Sequence, residues 1–157
     1  RELAKYASDK GVTFAIETGP EKADRLKDFL EGINNKGIGV NMDPANLVMV
    51  AGDDPVNAVK LLGQYIVHTH AKDGIQYQPC DPSKVYGSFA GDPVEGLDIG
   101  KLFAEVPLGE GKVPWDAYLD ALESAGYRGY LTIEREVGKN PAADIAKAVQ
   151  FLKEKIR

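Results

Sequence analysis

The chain has 157 residues, a net charge of -5, and 43% hydrophobic and 27% charged residues, the balance of one ordinary globular domain. The negative charge argues against a protein that grips the nucleic-acid backbone, which needs a basic face. No apolar run approaches the roughly 20 residues that span a bilayer, and the single Cys80 cannot form an internal disulfide, so a reducing cytoplasm is the simplest setting.

Residues 1 to 9 read as the interior of a helix already under way, closed by Gly11. Because Arg1 is not an initiator Met, the chain is expected to begin partway through a larger fold. A first strand, 13–18, carries Glu17. Pro20 and Glu21 open a second helix, with Ala23, Leu26, Phe29, Leu30 and Ile33 as its apolar stripe. The second strand, 38–43, ends in Asp43. Asp53-Asp54-Pro55 reads as a cap plus Pro ahead of a helix striped by Val56, Val59, Leu61 and Leu62. The third strand, 65–71, carries His68 and His70. Residues 74–113 are expected as one long loop, against the usual two to six residues between such elements. Pro114 then precedes a helix marked by Trp115, Tyr118, Leu119 and Leu122, and the fourth strand, 130–135, carries Glu134. Asn140-Pro141 opens the last helix. Its expected buried stripe is Ile145, Ala148, Val149, Leu152 and Ile156, with Lys153, Lys155 and Arg157 at the negative end of its dipole.

Strands alternating with helices imply parallel strands and right-handed crossovers. Glu17-Thr18-Gly19-Pro20 is no dinucleotide fingerprint, which disfavours a flat doubly wound sheet. Metal-binding side chains at successive strand ends fit the mouth of a barrel instead. The fold class is therefore α/β: a single domain of parallel β/α units forming half of a TIM-type (β/α)8 barrel, with 74–113 over its mouth as a lid or substrate loop.

In a parallel sheet all strand C-termini lie on one face, so Glu17, Asp43, His70 and Glu134 can converge. Three carboxylates and one imidazole suit a single divalent ion, Mn, Mg or Co, with Zn as an alternative. Such an ion polarises a carbonyl, and Glu17 and Glu134 are placed to remove and return a proton on the neighbouring carbon through an enediolate. Lys72 is a local cation able to receive a phosphate or carboxylate, and His68, on the strand face of His70, is a candidate substrate-binding residue beside it.

Several runs carry a family resemblance: Ile16-Glu17-Thr18-Gly19-Pro20, Gly39 to Asn46, His68-Thr69-His70-Ala71-Lys72-Asp73, Glu105 to Gly111, and Leu131 to Glu136. In this order they resemble the xylose-isomerase-like TIM barrels that include sugar phosphate isomerases and epimerases. The likeness covers essentially the whole chain, matched to the C-terminal half, strands 5–8. It implies Glu17, Asp43, His70 and Glu134 as metal ligands, His70 rather than His68 because His70 heads the His-x-Lys-Asp pattern. It implies Glu17 and Glu134 as the proton-transferring pair, and Asn46 at a position where the epimerases carry a substrate-binding His. Gln76 and Ala23 stand where those enzymes have Arg and Glu. The related zinc-dependent abasic-site endonucleases need more His than the two present here. The implied function is a metal-dependent sugar or sugar-phosphate isomerase or epimerase. The alternatives are a dehydratase (lyase) of the same barrel or a non-catalytic sugar-binding half. Open sheet edges in a half-barrel lead us to expect a homo-oligomer or pairing with an N-terminal half, with no nucleic-acid or membrane partner.

Overall fold

The computed structural model describes residues 1–92 and 94–156, so the cation expected at Arg157 lies outside the described residues. Helix α1 (Glu2–Asp9) ends as the sequence reading has it. Gly11 takes φ +70°, its N–H bonds the Ser8 carbonyl, and the Val12 N–H bonds that of Ala7. These two bonds close a Schellman motif that a side chain at Gly11 would strain.

Strand β1 (Phe14–Glu17) leads to helix α2 (Ala23–Ile33), then strand β2 (Ile38–Met42). A short helix α3 (Pro44–Asn46) runs on into a π-helical turn, Leu47–Ala51, and helix α4 (Pro55–Leu62) follows. After a 3-10 turn, Gly63–Tyr65, come strands β3 (Ile66–Ala71) and β4 (Asp73–Gln76). Helices α5 (Pro82–Phe89) and α6 (Ile99–Leu102) precede strand β5 (Phe103–Val106). Helix α7 (Trp115–Ser124), strand β6 (Leu131–Ile133) and helix α8 (Pro141–Lys155) complete the order.

Four strands pair in parallel in the order β1-β2-β3-β6, leaving β1 and β6 at the edges. One sheet face packs on helices. Leu26, Leu30, Val40, Met42, Val59, Leu62, Tyr118 and Leu122 are buried there, a core fixed by the helix period meeting the strand period. Thr69 in β3 ties this layer together: its hydroxyl donates to the Met42 carbonyl at 2.7 Å and pairs with the Tyr118 hydroxyl at 2.7 Å. The opposite face is polar, and it carries the site. Among the described residues no helix is long and apolar enough to cross a membrane.

One irregularity decides which side chains reach that face. Val40 pairs with Ile66, but the next residue of β2, Asn41, pairs with His68. Val67 is thus an extra residue in β3, a bulge that reverses the alternation. It lets Ile66 join the helix-side core while His68 and His70 turn to the polar face.

Three expectations are corrected. The segment 74–113 is not a plain loop: β4 and β5 form an antiparallel pair, Asp73↔Val106 to Gln76↔Phe103, with α5 and α6 between them. Each strand is four residues long and its partner is some thirty residues away, so local patterning gives no signal. Phe29 is 53% exposed, and Ile145, Val149 and Ile156 are 40%, 39% and 57% exposed, leaving Ala148 and Leu152 as the buried part of the last stripe. Periodicity identifies an apolar face; whether another element covers it is a tertiary matter. Finally, α2 begins at Ala23 rather than at Pro20, and the Asp53 carboxylate accepts the Ala23 N–H at 2.9 Å while Asp54 caps α4. The two acids read as one cap serve two helices.

Candidate metal centre

The C-terminal ends of all four parallel strands meet on the polar face. Glu17, Asp43, His70 and Glu134 each offer one ligand atom, and these atoms lie within 4.8 Å of one another. His70 Nδ1 is the centre of the group, 3.2 Å from Asp43 Oδ2, 3.4 Å from Glu134 Oε2 and 3.6 Å from Glu17 Oε1.

Local structure holds each group in place. Asp43 follows β2 directly and starts α3, so its Oδ1 accepts the Asn46 N–H at 2.9 Å while Oδ2 is left for the site. Pro44 at the first helical position makes this turn rigid. The Thr18 hydroxyl donates to the Asp43 carbonyl and accepts its N–H, both at 2.8 Å, stapling the ends of β1 and β2. Asp43 is fully buried, whereas the side chains of Glu17 and Glu134 are 42% and 28% exposed. The two Glu can therefore meet an incoming molecule that Asp43 cannot reach.

Asn46, His68 and Lys72 also lie at this rim. The Asn46 amide donates to Glu17 Oε1 at 3.0 Å and to the Thr18 carbonyl at 3.1 Å, so it orients Glu17. His68 bonds the Thr132 hydroxyl through Nε2 at 2.9 Å and stands edge-on to the His70 ring. The Lys72 ammonium donates to Glu134 at 2.8 Å and to Glu136, with Glu105 3.8 Å away. Arg135 is likewise engaged, by Glu105 at 2.7 Å and Asp144 at 2.9 Å.

Three residues at the site escaped the sequence reading. Asn41 lies 3.1 Å from His70 Nε2, on the far side of the ring from Asp43. Its position two residues before Asp43 on the same strand face was the available signal. Glu105 joins Lys72 to Arg135 from β5, and the Tyr86 ring of α5 lies against Gly19 at the end of β1. Both come from the segment read as a loop; Glu105 opens one of the runs that carry the family resemblance, but nothing local gave it or Tyr86 a role at the site.

The electrostatics are those of a cation site holding a proton. Hydrogen bonds to Asp43 and then Glu17 raise the His70 pKa to about 10, against the opposing effect of burial. The His70 contact holds the Glu17 carboxyl below its ordinary range, although burial works against it. Burial also opposes the charge on Lys72, but Glu134 and Glu136 outweigh it and its pKa rises. Burial, followed by the carboxylates of Asp43 and Glu17, pushes the Tyr86 phenol up to about 12.

Three carboxylates around one imidazole nitrogen fit a divalent ion better than a proton, because two negative charges remain once His70 is protonated. The four side chains would hold that ion through Nδ1 and one oxygen each. The sign of the pH dependence follows. Below about pH 10 the metal-free His70 keeps its Nδ1 proton, so binding must release it, and affinity should climb as pH rises towards 10. Calorimetric titration of Mn²⁺ at pH 7 in buffers of differing ionisation enthalpy is expected to report about one proton released per ion bound. A value near zero would count against ligation at His70 Nδ1.

Comparison with known proteins bears on the family and the fold. A family profile described as a xylose isomerase-like TIM barrel matches residues 1–155. The crystal structure of a xylose isomerase domain protein from Planctomyces limnophilus superposes with a TM-score of 0.76 at 32% identity, covering 98% of this chain and 48% of that one. Inosose dehydratase of Clostridium botulinum is 27% identical over 164 residues, 98% of this chain and 51% of that protein. L-ribulose-5-phosphate 3-epimerase UlaE of Salmonella paratyphi B is 41% identical over 54 residues, 33% of this chain and 19% of that protein. The chain thus spans about half the length of the curated relatives that it matches end to end.

Proposed function

The chain belongs to the xylose isomerase-like TIM barrel family, and from that premise we propose that it carries the metal-binding and proton-transferring half of a sugar isomerase or epimerase. The observation that supports this most is the meeting of Glu17, Asp43, His70 and Glu134 within 4.8 Å. A divalent ion bound there supplies a Lewis acid for a substrate carbonyl oxygen and so acidifies the neighbouring C–H.

The chain's own residues do the rest. Glu17 is the base: its carboxylate takes a proton from the carbon beside the carbonyl, leaving an enediolate. Asn46 keeps the base aimed by donating to Oε1. Glu134 is the other exposed carboxyl, and Lys72 holds it. Glu134 acts as the acid with a proton drawn from solvent, while Glu17 gives its own up there: delivery to the opposite face of the same carbon inverts that centre, and delivery to the neighbouring carbon, with the hydroxyl proton passing between the two enediolate oxygens, interconverts aldose and ketose. Lys72 and Arg135 are engaged by protein carboxylates, which favours an uncharged polyhydroxylated ketone or aldehyde over a phosphate ester. The similarity to an inosose dehydratase over 98% of the chain favours a second reading: the same proton abstraction followed by loss of a β-hydroxyl.

Proton NMR in deuterated water with Mn²⁺, using free ketoses and inososes as substrates, separates the readings. Deuterium entering carbon beside the carbonyl without loss of water is the expected result. Loss of water would transfer the assignment to the dehydratase, and no exchange with either class would remove both.

A further inference from the structure

The His70 ring is gripped on both sides by β2 and the residue that directly follows it. Asp43 faces Nδ1 at 3.2 Å, and Asn41, two residues earlier on β2, faces Nε2 at 3.1 Å. The bulge at Val67 makes this possible, since it sets His68 opposite Asn41 and swings His70 onto the same face. The atom of Asn41 turned to Nε2 is its amide nitrogen, while its Oδ1 is buried and has no hydrogen-bond partner among the described residues.

That pairing conflicts with the chemistry of the site. An imidazole binds a cation through a bare ring nitrogen, and the nitrogen among the three carboxylates is Nδ1. Nε2 must then carry the ring proton. An N–H facing an NH₂ group sets two donors against each other, beside an acceptor that lacks a donor. The oxygen and nitrogen of a side-chain amide exchange places by a half-turn, and the hydrogen-bond pattern decides between them. After that half-turn Oδ1 accepts the Nε2 proton. One amide N–H is left in place of the carbonyl, but the donor–donor repulsion is gone.

We infer that Asn41 is the positioning residue that sets the tautomer and plane of His70: its side-chain carbonyl accepts Nε2–H and leaves Nδ1 bare, aimed between Asp43, Glu17 and Glu134. This rests on the reading that these four residues hold a metal ion, but not on any turnover. Partners of this kind on a metal-binding His are worth about 10–100-fold in affinity.

Zinc-loaded protein labelled with ¹⁵N-histidine gives the direct test. Long-range ¹H–¹⁵N correlation is expected to show His70 metal-bound at Nδ1 and protonated at Nε2. Chelator competition supplies the second measurement. Asn41→Leu, which has no acceptor, should bind zinc about 10–100-fold more weakly, and Asn41→Asp, which keeps one, should bind at least as well as the parent. A proton on Nδ1, or equal losses in both variants, would overturn the assignment. If Asn41→Leu does not fold, the parent spectrum and Asn41→Asp still decide. Failure of the parent to bind zinc removes this inference along with the metal reading. Zinc bound with the expected tautomer but without substrate turnover removes only the proposed reaction and upholds the role of Asn41.

Discussion

Glu17→Gln and Glu134→Gln should each lower the rate of solvent-proton exchange into substrate by roughly 10²–10⁴-fold, the usual contribution of a positioned acid or base. Gln keeps the shape of Glu and one oxygen able to face a cation, but it cannot take up a proton. In Glu17→Gln that oxygen still meets the Asn46 amide, which donates to Oε1 at 3.0 Å in the parent. In Glu134→Gln, Lys72 keeps Glu136 as an ionic partner, so the rim should remain in place. Metal content, read by competition with a chelator, and circular dichroism establish that the variants are folded. Parent-like exchange in either one would take that residue out of the acid–base pair.

The same experiment on Glu136 sharpens the assignment. Glu136 is two residues beyond Glu134 and its side chain is 63% exposed, but its partner is Lys72 and it lies outside the group around His70. Glu136→Gln should therefore exchange protons within a few-fold of the parent. A loss comparable with that of Glu134→Gln would move the acid to position 136.

The convergence of Glu17, Asp43, His70 and Glu134 was legible because it depends on two short-range rules. An apolar run of four to six residues marks each strand, and parallel packing sends every strand end to the same rim. What could not be read depends on distant partners. Whether His68 and His70 face the site or the helices is decided by the register shift opposite Asn41, which becomes visible only once β2 lies against β3. The pairing of Gly74 with Glu105, and the approach of Tyr86 to Gly19, likewise join residues with no local pattern in common. The dual role of Asp43 was half visible. Asp-Pro is a plausible turn, and a strand-end Asp is a plausible ligand, but only the geometry assigns one oxygen to each task.

The largest expected effect on stability is at Asp73, next to Lys72 and 1% exposed. Its Oδ1 accepts the N–H of Gly74 at 2.9 Å and of Val113 at 3.1 Å. Its Oδ2 accepts the N–H of Gly109 at 3.0 Å, of Gly111 at 3.2 Å and the indole N–H of Trp115 at 2.9 Å. One carboxylate thus organises the loop from 109 to 113 and the start of α7. Asp73→Ala would leave these donors buried without an acceptor, at about 1–3 kcal/mol for each that finds no water. Some of the loop can relax and the terms do not add, so we expect a total of about 3–5 kcal/mol. That is a large share of the roughly 5–15 kcal/mol that holds a domain folded. In a chain of this size it corresponds to a fall in melting temperature of at least about 6 °C. Asp73→Asn, which keeps one acceptor oxygen, should lose about half as much. Gly111→Ala approaches the same contact from the other side, because a Cβ there would run into the Asp73 carboxylate. Urea titration of the three variants measures the series. An Asp73→Ala protein with the parent's midpoint would show that the five bonds are replaceable by solvent, and would leave the placement of Lys72 and of the site rim to other contacts.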